Sequence, residues 1–184
     1  MVSDYKEILS DSAKGMKRSA IRELLKLTQK PEIISFAGGL PAKESFPLEQ
    51  LQEICAEVIA TDGAAACQYG STEGVPELLE ILAQRYRDQG LSYVTKENIT
   101  IITSSQQGLD TVGKIFLNRG DKYICELPSY LGALGAFNSY GGVGVGIPQD
   151  EQGMSAVELE KTLAEMKAKG EKPKFIYLIP DFQN

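Results

Sequence analysis

Histidine is absent from this sequence of 184 residues, and no apolar run is long enough to cross a membrane. Without histidine the chain cannot build a Ser-His-Asp or Cys-His catalytic arrangement, and it lacks the commonest transition-metal ligand. We therefore predict no metal site, and acid–base chemistry near neutral pH must come from a lysine, a carboxylate or a cofactor. A bilayer span needs about 20 apolar residues, and the first residues contain no apolar secretion signal. These absences favour a cytoplasmic location.

Cysteine is scarce as well, and positive charge does not dominate. Cys55, Cys67 and Cys125 form no Cys-x-x-Cys pair and lie in apolar segments, so we expect buried thiols rather than catalytic ones. The chain has 19 Lys and Arg against 25 Asp and Glu, a net charge of −6. Such an acidic chain is poorly suited to nucleic acid or an anionic membrane surface, and we predict neither as a partner.

Apolar spacing at three and four positions predicts three helices in the first 90 residues. One covers residues 21–27 within an N-terminal arm. A second begins near Pro47, and a third runs from about Pro76 to Gly90.

From residue 98 onward the pattern alternates between strands and helices. Four segments are predicted as strands: Ile99–Thr103, Lys122–Glu126, Val143–Ile147 and Phe175–Ile179. Helices are predicted between them, and the last begins at a capping box formed by Ser155 and Glu158. This alternation is typical of a mostly parallel α/β sheet.

A candidate anion site follows the first predicted strand. The helix there opens with Ser104, Ser105 and Gln106, which would present main-chain N–H groups and hydroxyls at the carboxyl edge of the sheet. Phosphates bind at helix starts of this kind. Serine is also a common helix cap, so the spacing alone leaves an ordinary N-cap as the alternative.

A candidate aromatic platform follows the second predicted strand. Pro128 comes directly after that strand, which places Tyr130 at the edge where α/β proteins bind ligands. The ring could cover a flat heterocycle, or it could pack against a neighbouring loop. The glycine-rich segment 141–146 is not predicted to bind a dinucleotide, because its glycines lack the G-x-G-x-x-G spacing and precede a strand.

Five ordered motifs together resemble the class I and II aminotransferases, which are pyridoxal-phosphate (PLP) enzymes of fold type I. The motifs are SFAGGLPAKESFP, QYGSTEGVPELLEILAQR, TSSQQGLD, ELPSY and IPDFQN, and they extend over the whole chain. The likeness is strongest to the branch of 2-aminoadipate and kynurenine aminotransferases.

The resemblance implies an α/β fold with an incomplete PLP-dependent transferase large domain. Its mostly parallel sheet would carry helices on both faces and would be preceded by an N-terminal helical arm. Residues 1–46 would form the arm and a substrate-pocket loop. Residues 47–184 would form the first part of the PLP-binding large domain.

The same resemblance implies roles for four residues in binding PLP. Ser105 and Gln106 would hold the phosphate, Tyr130 would stack on the pyridine ring, and Asn184 would donate a hydrogen bond to the phenolic oxygen. Ser104 stands where the family usually has glycine, which is a departure from the pattern.

Further roles are implied for a partner subunit and for the substrate. Tyr69 would reach the phosphate of the neighbouring subunit's cofactor, so the working unit would be a homodimer. Gly39 and Arg22 match positions that line the amino-acid pocket, although Arg22 could also be an ordinary surface arginine.

The intact protein is therefore expected to transfer an amino group from an amino acid to a 2-oxo acid. The chain stops at the Asn of an Asn-Pro-x-Gly motif, and the Schiff-base lysine is expected beyond residue 184. No catalytic residue is assigned within this chain, which alone is expected to be inactive.

Three alternatives remain open from the sequence. One is a PLP-dependent carbon–sulfur lyase on the same fold. Another is the aminotransferase-like effector domain of a transcription regulator, and the third is a natural non-catalytic fragment.

Strand order gives the resemblance a topological test. In this family seven strands, a to g in chain order, lie side by side as a-g-f-e-d-b-c, and the four predicted here are a to d. Strands d, b and c should therefore be neighbours, while a lacks its partner g. The apolar edge of d would be exposed, and the chain is expected to be poorly stable alone.

Overall fold

A computed structural model describes residues 5–15, 33, 41–181 and 183. Its α-helices are α1 (Asp11–Gly15), α2 (Leu48–Ala66), α3 (Pro76–Asp88), α4 (Ser105–Phe116), α5 (Leu131–Ser139) and α6 (Ala156–Ala168). Its strands are β1 (Lys122–Leu127), β2 (Val143–Asp150), β3 (Gly153–Met154) and β4 (Ile176–Tyr177). Short 3-10 turns cover Tyr5–Ile8, Lys43–Ser45 and Lys96–Asn98.

The chain divides into two compact units. One comprises residues 1–37 with 104–184, and the other comprises residues 38–103. This division differs from the expected domain boundary after residue 46, which stays a prediction. Among the described residues, none of the helices has both the length and the apolar character of a membrane span.

The sheet belongs to the first unit and has the order β3-β2-β1-β4. Strand β1 pairs in parallel with β2 over its whole length, from Lys122 opposite Val143 to Leu127 opposite Pro148. On its other side β1 pairs in parallel with β4. Because β4, β1 and β2 are the strands d, b and c, the predicted order d-b-c is confirmed.

Helices cover both faces of β1, as predicted, because alternate side chains of a strand point to opposite faces. Tyr123 and Cys125 pack against Ala133, Ala136 and Phe137 of α5, together with partly buried residues of α4.

Ile124 on the opposite face packs with Ile147 and with Met166 of α6. Helix α6 begins where the sequence predicted, and the Ser155 hydroxyl accepts a hydrogen bond from the Glu158 N–H at 3.4 Å.

The glycine-rich segment before residue 147 lies in β2, so it forms no dinucleotide loop. A Cβ atom on Gly144 would come within 2.9 Å of the Tyr123 hydroxyl oxygen. Glycine at this position therefore lets the buried tyrosine lie flat against the neighbouring strand.

The second unit is mainly helical. Helix α3 buries Leu79 and Ala83, whereas α2 buries none of its 19 residues. Helix α2 also changes direction at Asp62, whose φ of −140° and ψ of 27° are not helical.

Two predictions are corrected in this unit. Ile99–Thr103 is not a strand, because the neighbour that the resemblance assigns to it is not among these 184 residues. The Ile101 N–H instead donates to the Glu73 carbonyl at 2.7 Å. Cys55 on α2 and Cys67 directly after it are exposed rather than buried, because α2 buries none of its residues, while Cys125 in β1 is buried as expected.

The remaining strands differ in extent from the prediction. The fourth strand is limited to Ile176 and Tyr177, and Leu178 beside it is half exposed. The short antiparallel strand β3, which pairs with the end of β2, was not predicted. The amphipathic segment 21–27 lies outside the described residues.

Candidate functional site

The start of α4 offers main-chain N–H groups that no N-cap side chain occupies. Ser104 is the extended residue before the helix, and its side chain makes no capping hydrogen bond. Within the part of the chain that is described, the main-chain N–H groups of Ser105 and Gln106 have no acceptor. Both residues are exposed, and the first turn carries no acidic side chain that would repel an anion. The arrangement supports the anion-site interpretation over the ordinary N-cap.

Tyr130 lies at the start of α5, three residues after the end of β1. Its backbone is extended, and the residue is 48% exposed. The Gln106 side-chain amide donates a hydrogen bond to the Gly132 carbonyl at 3.3 Å. This hydrogen bond brings the starts of α4 and α5 together, so the three residues predicted to contact the phosphate and the pyridine ring are neighbours.

Two more hydroxyl groups lie in the same region. The Ser129 hydroxyl oxygen is buried and has no hydrogen-bond partner among the described residues. Burial raises the pKa of Tyr177, and the nearby Tyr130 and Glu126 raise it further. The Tyr177 hydroxyl therefore stays protonated at neutral pH, which leaves it neutral and able to donate.

Glu126 is a buried carboxylate that the sequence analysis did not single out. It lies at the end of β1, is 4% exposed, and accepts hydrogen bonds from the Ile179 N–H at 3.0 Å and the Gln183 amide at 3.1 Å. The Gln183 amide also donates to the Pro128 carbonyl at 3.4 Å. The carboxylate thus connects β1 to the segment that follows β4 and leads to Asn184. The sequence feature that could have identified Glu126 is its position as the single acidic residue of β1.

Cys125 is not suited to act as a nucleophile at this edge. Burial raises the pKa of its thiol, and the adjacent Glu126 raises it further. Because the thiolate is the reactive form, the buried Cys125 thiol is a packing group.

Lysines near the sheet are paired at its opposite edge. Lys122, at the start of β1, forms an ion pair with Glu171, and Lys174 pairs with Asp121 at 3.3 Å. Both lysines lie at the amino end of β1, whereas Tyr130 follows its carboxyl end.

The remaining predicted site residues are Tyr69, Arg22, Gly39 and Asn184. Tyr69 belongs to the second unit and is 99% exposed. Arg22, Gly39 and Asn184 lie outside the described residues, so their assigned roles remain predictions.

Comparisons with known proteins agree on one family. A family model described as aminotransferase class I and II matches residues 31–179. The chain is 45% identical over 181 residues to an aromatic-amino-acid aminotransferase from Thermococcus litoralis, covering 98% of this chain and 43% of that protein.

Two solved structures show the same likeness in three dimensions. A kynurenine aminotransferase from Pyrococcus horikoshii, in complex with PMP, matches 99% of this chain and 45% of its own, with a TM-score of 0.86 and 41% identity. An α-aminoadipate aminotransferase from Thermus thermophilus, complexed with N-(5'-phosphopyridoxyl)-L-leucine, matches 98% of this chain and 42% of its own, with a TM-score of 0.82 and 41% identity. The chain therefore spans less than half the length of these relatives.

Proposed function

Because this chain belongs to the class I and II aminotransferases, we propose that the protein transfers an amino group from an amino acid to a 2-oxo acid with pyridoxal phosphate as cofactor. The family resemblance seen in the sequence, including its 2-aminoadipate and kynurenine branch, is confirmed by the comparisons. One observation supports the proposal most directly, which is the hydrogen bond from Gln106 to Gly132 that brings the anion site beside Tyr130.

The donor groups at this edge suit a phosphorylated heterocycle. The start of α4 offers main-chain N–H groups and hydroxyls for a phosphate, and Tyr130 offers a half-exposed ring for a flat heterocycle. The buried Ser129 hydroxyl, unpaired within the described residues, can be satisfied by a bound polar group. These three features lie at the start of α4 and in the segment that follows β1.

Each residue then has a distinct task. Ser105 and Gln106 would hold the phosphate, Tyr130 would cover one face of the ring and exclude water from it, and Asn184 would donate to the phenolic oxygen. When bound, pyridoxal phosphate would supply an electron sink for the exchange of the amino group. Glu126 positions the segment that leads to Asn184, since it accepts hydrogen bonds from Ile179 and Gln183.

The proposal also covers the amino-acid substrate, the oligomeric state and the cellular location. Arg22 and Gly39 would line the amino-acid pocket, with a preference for 2-aminoadipate-like, aromatic or branched amino acids. Tyr69 would contact the cofactor of a second subunit in a cytoplasmic homodimer, and its high exposure leaves it accessible for such a contact. The named relatives are aminotransferases, which does not favour a carbon–sulfur lyase or a regulator.

The proposal is tested on the protein expressed from the full reading frame that contains this chain. It should bind pyridoxal phosphate and convert 2-aminoadipate or an aromatic amino acid to its 2-oxo acid in the presence of an acceptor. Tyr130→Ala should weaken cofactor binding roughly two- to tenfold, because an aromatic contact contributes about 0.5–1.5 kcal/mol. Tyr93→Ala, at an exposed position of the second unit, is the control. Release of a thiol from a cysteine conjugate without amino transfer would favour the lyase instead.

A further inference from the structure

We propose that Gly132 is a positioning residue whose missing side chain lets the Tyr130 ring lie along the first turn of α5, next to Gln106. The expected effect on cofactor binding rests on the proposed function, in which the Tyr130 ring covers the cofactor.

The geometry at Gly132 leaves no room for even a methyl group. A Cβ atom built there would lie 2.5 Å from Cε1, 2.6 Å from Cζ and 2.8 Å from Oη of Tyr130. Non-bonded carbon atoms have their optimal contact at roughly 3.5–4.0 Å, and all three distances are far shorter, so the ring in this position and a side chain on residue 132 exclude each other.

The backbone itself does not require glycine at this position. Gly132 is the second residue of α5, and it is not among the glycines with positive φ. Glycine inside a helix is less favourable than alanine by roughly 1 kcal/mol. The close approach of the Tyr130 ring therefore gives the glycine its physical reason.

A substitution at Gly132 should move the ring rather than the helix. Tyr130 precedes α5 and is half exposed, so its side chain can rotate into solvent, whereas Ala133 and Phe137 hold the helix in the core. The Gly132 carbonyl, which accepts the hydrogen bond from Gln106, is retained in an alanine variant. Gly132→Ala thus displaces the aromatic platform while leaving the anion site in place.

Gly135 provides a matched control on the same helix. A Cβ atom built on Gly135 meets no heavy atom within 4 Å. Gly132→Ala and Gly135→Ala gain the same helix propensity, so a difference between them reports the contact with Tyr130 and not the stability of α5.

The experiment uses the protein expressed from the full reading frame that contains this chain, with two readouts. The first is the NMR signal of the Tyr130 ring without cofactor, assigned by comparison with Tyr130→Phe. The second is the dissociation constant for pyridoxal phosphate, measured by titration. We expect Gly132→Ala to shift the ring signal and to weaken binding roughly two- to tenfold, and Gly135→Ala to change neither.

A double-mutant cycle establishes that Gly132 acts through the ring. In a Tyr130→Ala background, Gly132→Ala should cause no further loss of affinity, because the group it displaces is gone. An additive loss would overturn the proposal, and so would an unshifted ring signal in Gly132→Ala. If the unmodified protein binds no pyridoxal phosphate, the proposed function fails, while the ring signal still decides the role of Gly132.

Discussion

Strand β1 and helix α2 show how differently two apolar segments of one chain can be buried. Four of the six residues of β1, Tyr123 to Glu126, are buried in succession. Helix α2 has 19 residues, all of them described, and buries none. Leu51, Ile54 and Ile59 on α2 remain 49–60% exposed.

The difference lies in the neighbours and not in the apolar pattern. Strand β1 has β2 on one side, β4 on the other, and helices over both faces, so the side chains of Tyr123, Ile124 and Cys125 all pack in a core cluster. The spacing in α2 defines an apolar face equally well, yet a pattern cannot show whether anything covers it. Apolar periodicity identifies a face that can be buried, and packing decides whether it is.

The largest expected effect on the free energy of unfolding comes from truncating one side chain in each of these two regions. Phe137 is 1% exposed, and its ring centroid lies 5.0 Å from those of Tyr123 and Phe175. Phe137→Ala should lower the free energy of unfolding by about 3–5 kcal/mol, since it leaves a cavity. Ile59→Ala in α2, at 60% exposure, should change it by no more than about 0.5 kcal/mol.

Urea unfolding of the 184-residue chain measures both variants. Where association prevents reversible unfolding, exchange of the β1 amide protons replaces it. Equal losses in the two variants would mean that the face of α2 is covered in solution, and the comparison would fail.

A second prediction uses alkaline pH to distinguish a buried tyrosine from an exposed one. Burial raises the pKa of Tyr123 to about 12, against 10.0 for a free phenol, and the neutral hydroxyl hydrogen-bonds Asn138 at 3.1 Å. The folded state favours the protonated form, so this stabilisation is complete below pH 10.0 and is lost as the pH rises towards 12. The loss should amount to about 2–3 kcal/mol.

Tyr123→Phe should therefore remove the part of this loss of stability that comes from the Tyr123 phenol, as followed by circular dichroism. Tyr69→Phe, at a residue that is 99% exposed, should leave the alkaline profile unchanged. A Tyr123→Phe profile that matches the unmodified chain would show that this phenol is hydrated.

The smallest of the three effects concerns the buried acid of β1. Glu126→Ala leaves the Ile179 N–H without its acceptor and removes one of the two acceptors of the Gln183 amide, which should destabilise the fold by about 1–3 kcal/mol. The Ile179 amide proton should exchange faster, which Glu160→Ala, at an exposed position on α6, should not cause. Unchanged exchange at Ile179 would contradict the network.

Short sequence signals predicted the helix starts, which are stabilised by residues of the helix itself. Pro76 and Ser155 marked helix starts within one residue, because proline at the first turn and a serine cap act on their own helix. Ile99–Thr103 looked like a strand from its β-branched residues, yet a strand forms only with a partner, and the partner that the resemblance assigns to it is not among these 184 residues. The order d-b-c came from the family resemblance, since periodicity alone does not order strands.

The residues of the candidate site likewise include some that sequence motifs predict and one that they do not. Ser105, Gln106 and Tyr130 could be named from motifs because each follows a predicted strand. Gly132 looked like an ordinary small residue in a helix, and only the position of the Tyr130 ring revealed its contact.

The sequence by itself determined the family, the location of most helices, the three parallel strands and the residues at the ends of two of them. Those features depend on motif order, caps and side-chain spacing, which act over a few residues. Tertiary structure alone decided that Glu126 is buried beside Ile179, that α2 stays uncovered and that Gly132 accommodates a ring. Each of these features depends on which side chains come into contact in three dimensions. The spacing of residue types along the sequence does not determine those contacts.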